Sequence, residues 1–167
     1  MAALLLLLPW LATRFTDEVA WDAADFVVFG ALLGGACGGY DLAARMRDDF
    51  AYRAAVVVAL VAAFLLAWLS LGVGLIGQDG DPANRMYFGV LAAGLIGAVI
   101  ARLRPLGMAR ALLAMALAQA VVTVIALGTG LGRPWSGPAE LLLLNGFFVA
   151  LFVAAAWLFG RAARAHP

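Results

Sequence analysis

Eleven arginines and no lysine are gathered almost entirely into three short clusters, separated by long stretches of Ala, Leu, Val and Gly. Stretches of that length leave a chain few options. A run of roughly 20 apolar residues is what an α-helix needs to cross about 30 Å of hydrocarbon, and a helix satisfies its own backbone where lipid offers no partner. Hydrophobic residues fill 66% of the 167 positions and charged ones 13%, against roughly half and a quarter in a soluble domain. No water-soluble core hides that much apolar surface. The expected fold is all-α: a polytopic membrane helix bundle, one transmembrane domain over residues 1–167.

Spans are expected near 24–40, 54–77, 86–103, 109–128 and 139–160. A further candidate precedes them. Met1 to Ala12 is apolar but short, carries Pro9, and must run on through Arg14 and Phe15 to cross a bilayer. A secretory signal is the rival reading, yet the segment lacks a basic start and a small-x-small cleavage site. The expectation is six short helices, or five plus a kinked N-terminal half-span.

Arginine placement then alternates from loop to loop as the positive-inside rule requires. Arg45, Arg47 and Arg53 share one connection, Arg102, Arg104 and Arg110 the next but one, and Arg161 and Arg164 the tail. That side is expected to be cytoplasmic, with the C-terminus on it. The opposite side receives Arg14, Arg85 and Arg133 with Asp17, Glu18, Asp22, Asp25, Asp79, Asp81 and Glu140, three positive charges against seven negative and a net of −4. Trp21, Tyr87 and Trp135 mark its helix ends, and Tyr40, Tyr52 and Trp157 the inner ends, as expected of rings that prefer the interface.

Several function classes are disfavoured. No basic patch with interleaved aromatics lies outside the spans, so nucleic acid is not an expected partner. The one histidine, His166, leaves no pair for haem, no zinc cluster and no base for a nucleophile. No cofactor or metal is expected, and the chain does not read as an enzyme. Cys37 is the single cysteine, so it forms no intramolecular disulfide.

Two polar groupings stand out. On the outer side Asp22, Asp25, Asp79 and Asp81 could attract a hard cation to a pore mouth. Helix capping explains them as well, since Asp81-Pro82 reads as N-cap and N1, and Asp22 or Asp25 suits another helix start. Inside the spans the polar residues are Ser70, Gln119, Thr123 and Asn145. Gln119 and Thr123 share a helix face near mid-span, and a glutamine there needs a partner such as Asn145 or a carbonyl. Interhelical bonding and a polar path remain the two readings. No ionisable side chain sits at mid-span, which argues against a proton- or ion-coupled pump.

The glycines also form a pattern. Phe29-Gly30-Ala31-Leu32 with Gly35 and Gly38 is echoed 59 residues later by Phe88-Gly89-Val90-Leu91 with Gly94 and Gly97. A duplicated two-helix unit would leave such an echo. Packing explains it equally: Gly30, Gly34 and Gly38 form one stripe, Gly89, Ala93 and Gly97 another, and small residues let helix backbones approach closely in lipid. Such stripes could face other subunits or a second copy of the chain.

Phe15 to Trp21 with Asp25-Phe26, Pro82-Ala83-Asn84 with Tyr87-Phe88-Gly89, and Gly107-Met108-Ala109-Arg110-Ala111-Leu112 resemble segments of a group of small, functionally uncharacterised multi-pass bacterial inner-membrane proteins. The resemblance implies a bacterial cytoplasmic membrane and carries no functional residues. The chain is therefore expected to be a non-enzymatic accessory or scaffold component of a membrane complex. The alternative is a small transporter or channel for a cation or small solute, with the acidic residues at its outer mouth.

Overall fold

A computed structural model describes residues 23–78 and 80–165. Among these residues the regular structure is all helical: α1 (Ala23–Met46), α2 (Phe50–Gly72), a 3₁₀ turn (Pro82–Arg85), α3 (Met86–Ala101), α4 (Pro105–Thr129) and α5 (Pro138–Ala165). Five segments are long and apolar enough to cross a membrane, the third running from Pro82 to Ala101. This is compatible with a multi-pass membrane protein. The expected first helix over residues 1–12 lies outside the described residues, as do Asp22 and Asp79.

Local chemistry sets the helix ends. Asp49 caps α2, its carboxylate accepting from the Ala51 and Tyr52 amides at 3.4 and 3.2 Å, which meets donors that the first helical turn leaves unpaired. Pro105 opens α4, where a missing N–H costs nothing. Gly130, at φ 69°, closes α4 with its amide bonded to the Ala126 carbonyl. One departure from expectation is at the end of α2, which stops at Gly72 instead of continuing to residue 77. Gly74 and Gly77 take φ of 79° and 72°, a backbone region easy for glycine and foreign to a right-handed helix.

The packing is built around α5. It lies extensively against α4 and also against α2, α3 packs on α4, and α1 rests chiefly on α2. The buried positions of α5 recur at three- and four-residue steps, from Leu141 through Asn145, Phe148, Phe152, Ala155, Phe159 and Ala162, the spacing of one helical face. Gly94 and Gly97 bring α3 close to α4: a Cβ on Gly94 would strike the Met115 side chain, and one on Gly97 would lie 2.5 Å from the Ala111 Cβ. The packing stripe on α3 thus runs through Gly94 and Gly97 rather than Gly89, which has open space around its Cβ position.

Two sets of contacts define the ends of the molecule. At one end the Tyr52 hydroxyl donates to the Leu103 carbonyl at 2.9 Å, and its ring meets Phe159 edge-on with centroids 5.3 Å apart. This joins the start of α2, the α3–α4 turn and the end of α5. Arg45, Arg47, Arg53, Arg102, Arg104, Arg110, Arg161 and Arg164 belong to this end. At the other end the Gly77 amide donates to the Ser136 hydroxyl at 3.0 Å, joining the α2–α3 and α4–α5 connections. Asp25, Asp81, Arg85, Arg133 and Glu140 belong there.

Candidate functional site

Three helices converge on Asn145, two turns into α5. Its side-chain carbonyl accepts from the Tyr87 hydroxyl of α3 and from the Gln119 amide of α4, both at 2.9 Å, while its own amide donates to the Leu141 carbonyl at 2.9 Å. Tyr87 and Gln119 are 0% exposed and Asn145 is 1% exposed. Both lone pairs of the Asn145 oxygen are engaged, so this side chain locks α3, α4 and α5 in one register. The Gln119 Oε1 is different: it is buried and has no hydrogen-bond partner among the described residues. A buried acceptor left open costs about 1–3 kcal/mol, and it can take one more donor.

Thr123 stands one turn from Gln119 and is buried, but its hydroxyl donates to the Gln119 backbone carbonyl at 2.9 Å. Ser70 likewise turns back on its own helix, donating to the Ala67 carbonyl at 3.0 Å. Of the four polar residues expected inside the spans, Gln119 and Asn145 are therefore brought together directly, with Thr123 tied to the backbone beneath them. Tyr87 completes the group. Tyr87 and Tyr52 stand at the starts of α3 and α2, the helix ends expected of them, but their rings turn inward: both are fully buried with bonded hydroxyls. A ring with a polar tip suits a buried acceptor as well as a headgroup region, so composition alone does not separate the two.

The acidic group divides. Asp81 is the N-cap of the 3₁₀ turn, its carboxylate accepting from the Ala83 amide at 2.9 Å. Asp25 lies in the first turn of α1, where the helix dipole favours a negative charge. Among the described residues no three His, Cys, Asp or Glu side chains stand close enough to hold a metal ion.

Next to Asp81 the fold has a second polar centre, on a residue not singled out for any role above. Asn84 accepts from the Leu75 and Ile76 amides at 2.8 and 3.0 Å and donates to the Ile76 and Gln78 carbonyls at 3.1 and 3.3 Å. Leu75 and Ile76 are non-helical yet 3% and 0% exposed, and a buried loop needs partners for its backbone groups. Asn84 supplies them. The signal in the sequence is the run of glycines at 72, 74, 77 and 80 through an apolar stretch, which turns backbone inward and calls for a nearby amide. Gly77 and Gly132, at φ 72° and 85°, then touch backbone to backbone: a Cβ on Gly132 would lie 2.9 Å from the Gly77 nitrogen.

Comparison with protein-family models, with curated proteins and with solved structures gives no match.

Proposed function

We propose that the chain is embedded in a bacterial cytoplasmic membrane as a helix bundle, with its arginine-rich end and C-terminal tail cytoplasmic, and that it serves as a non-enzymatic accessory or scaffold component of a membrane complex. Residues 1–12 add the sixth helix or half-span of that bundle. The arginine distribution supports the orientation, because positive charge is retained on the cytoplasmic side of short loops.

One observation carries the functional reading. In α1, Gly34, Gly35 and Gly38 have, among the described residues, nothing within 4 Å of a Cβ placed on them, although the same motif in α3 is filled by α4. Glycine in a membrane helix gives close backbone approach and weakens the helix otherwise. On α1 that surface is turned to a partner outside this chain. The Ser70 hydroxyl donates to its own helix and the Ser136 hydroxyl accepts the Gly77 amide, structural roles that support a non-enzymatic reading.

The test is purification of the tagged protein from its native membrane in mild detergent, with total mass and co-purifying subunits measured together, for wild type and for a G34L/G38L variant. A stoichiometric partner that the variant loses is the expected result. A wild-type chain that purifies alone, or a partner equally retained by the variant, sinks the reading. The second reading, transport of a cation or small solute from the acidic outer side, draws less support, because Gln119 and Asn145 bond each other while 0% and 1% exposed. Flux into liposomes that is abolished by Gln119→Leu would establish it.

A further inference from the structure

The arginine-rich end contains an open cleft of about 560 Å³ where α3 turns into α4. Arg104 and Arg110 line it, together with Gly97, Ala101 and Gly107 and with Ile100 and Leu106, which are 77% and 54% exposed. The two guanidinium groups carry no counter-charge: among the described residues neither comes within 4.0 Å of a carboxylate, whereas Arg53 pairs with Asp48 at 2.9 Å. The cleft exists because the helices meet closely beneath it. A Cβ on Gly107 would lie 2.6 Å from the Ala101 Cβ, so small side chains floor a recess that larger ones would fill. Two chemistries therefore adjoin, a pair of unneutralised arginines and an apolar wall that continues down the outside of α3 through Ile96, 58% exposed.

We infer that this cleft binds the headgroup of an anionic phospholipid, with Arg104 and Arg110 on the phosphate and the acyl chains along Ile100 and Ile96. A phosphodiester accepts the planar donors of arginine well, and basic pockets between helices at a cytoplasmic membrane surface recognise acidic headgroups. A free inorganic anion would leave the apolar wall without an occupant, whereas a lipid covers both. The inference rests on α3 and α4 crossing the bilayer.

Native mass spectrometry of the detergent-solubilised chain with added phosphatidylglycerol or phosphatidylcholine tests it. The wild type is expected to retain one phosphatidylglycerol in preference to phosphatidylcholine, and R104Q/R110Q to lose that preference by about thirtyfold, from two arginines near a lipid surface. The pair R161Q/R164Q removes the same charge from the same end outside the cleft and is expected to bind as wild type. Equal retention of both lipids by the wild type overturns the site, whatever the variants do. An equal loss in R161Q/R164Q overturns it in favour of diffuse charge attraction, and displacement of the lipid by millimolar inorganic phosphate overturns it in favour of a free-anion site. A chain that fractionates with membranes yet shows no lipid preference sinks the site alone, leaving the membrane assignment standing.

Discussion

Asn145 holds two donors on one oxygen, and the consequences of removing it differ sharply from those of removing either donor. Asn145→Leu strands the Tyr87 hydroxyl and the Gln119 amide together, for an expected loss of about 2 kcal/mol, since buried donors without acceptors cost about 1–3 kcal/mol. Tyr87→Phe removes one donor and leaves Asn145 bonded to Gln119, at an expected cost of about 1 kcal/mol, near the upper range of interhelical bonds in membranes. Gln119→Leu deletes a donor and an unpaired acceptor at once, so its net change is expected within about 0.5 kcal/mol. Reversible unfolding of the three variants in detergent micelles checks the order. A Gln119→Leu chain as unstable as Asn145→Leu would mean that the open acceptor is occupied in solution. The pairing of Gln119 with Asn145 could be anticipated, because a mid-span amide must find a partner. Tyr87 could not, because nothing in a sequence tells whether an amphipathic ring at a helix start points outward to headgroups or inward to an amide.

Among whole elements, α1 and α3 carry the same glycine motif and use it in opposite ways. Gly97→Leu should push α3 off Ala111 and lower stability by about 1–3 kcal/mol, the usual cost of overpacking. Gly34→Leu meets open space and is expected to leave the stability of the isolated chain unchanged or slightly raised. Thermal unfolding of both in the same detergent decides this, and a reversed order would mean that α1 packs inward. The helices themselves were legible from apolar length and charged interruptions; their faces were not. Lipid tails are as apolar as leucine, so a glycine facing protein and one facing lipid leave no different trace in the pattern. The stop of α2 at Gly72 escaped for a related reason. Leu75 and Ile76 continue the apolar run unbroken, and the left-handed Gly74 and Gly77 together with the bonds from Asn84 take their backbone out of the helix.

At the scale of the whole molecule the two ends differ in charge and in how they are joined. The arginine end is held by the Tyr52 hydroxyl and aromatic packing, the other by glycine-to-glycine contact and the Gly77 to Ser136 bond. Orientation follows from the arginines and is directly measurable. In a Cys37→Ser background, Arg133→Cys is expected to react with a membrane-impermeant maleimide added to intact cells, and Arg47→Cys only after permeabilisation. Labelling of Arg47→Cys from outside would invert the topology. The central position of α5 has a consequence for biosynthesis. It is the last of the five helices in chain order, yet both α4 and α2 rest on it. In chain order Gln119 is made before the Asn145 that accepts its amide, and Tyr52 of α2 before the Phe159 ring that packs on it. The fold is thus completed from its C-terminal side, and a ribosome stalled before residue 138 would leave a hairpin of polar amide and apolar helices with no centre to close on.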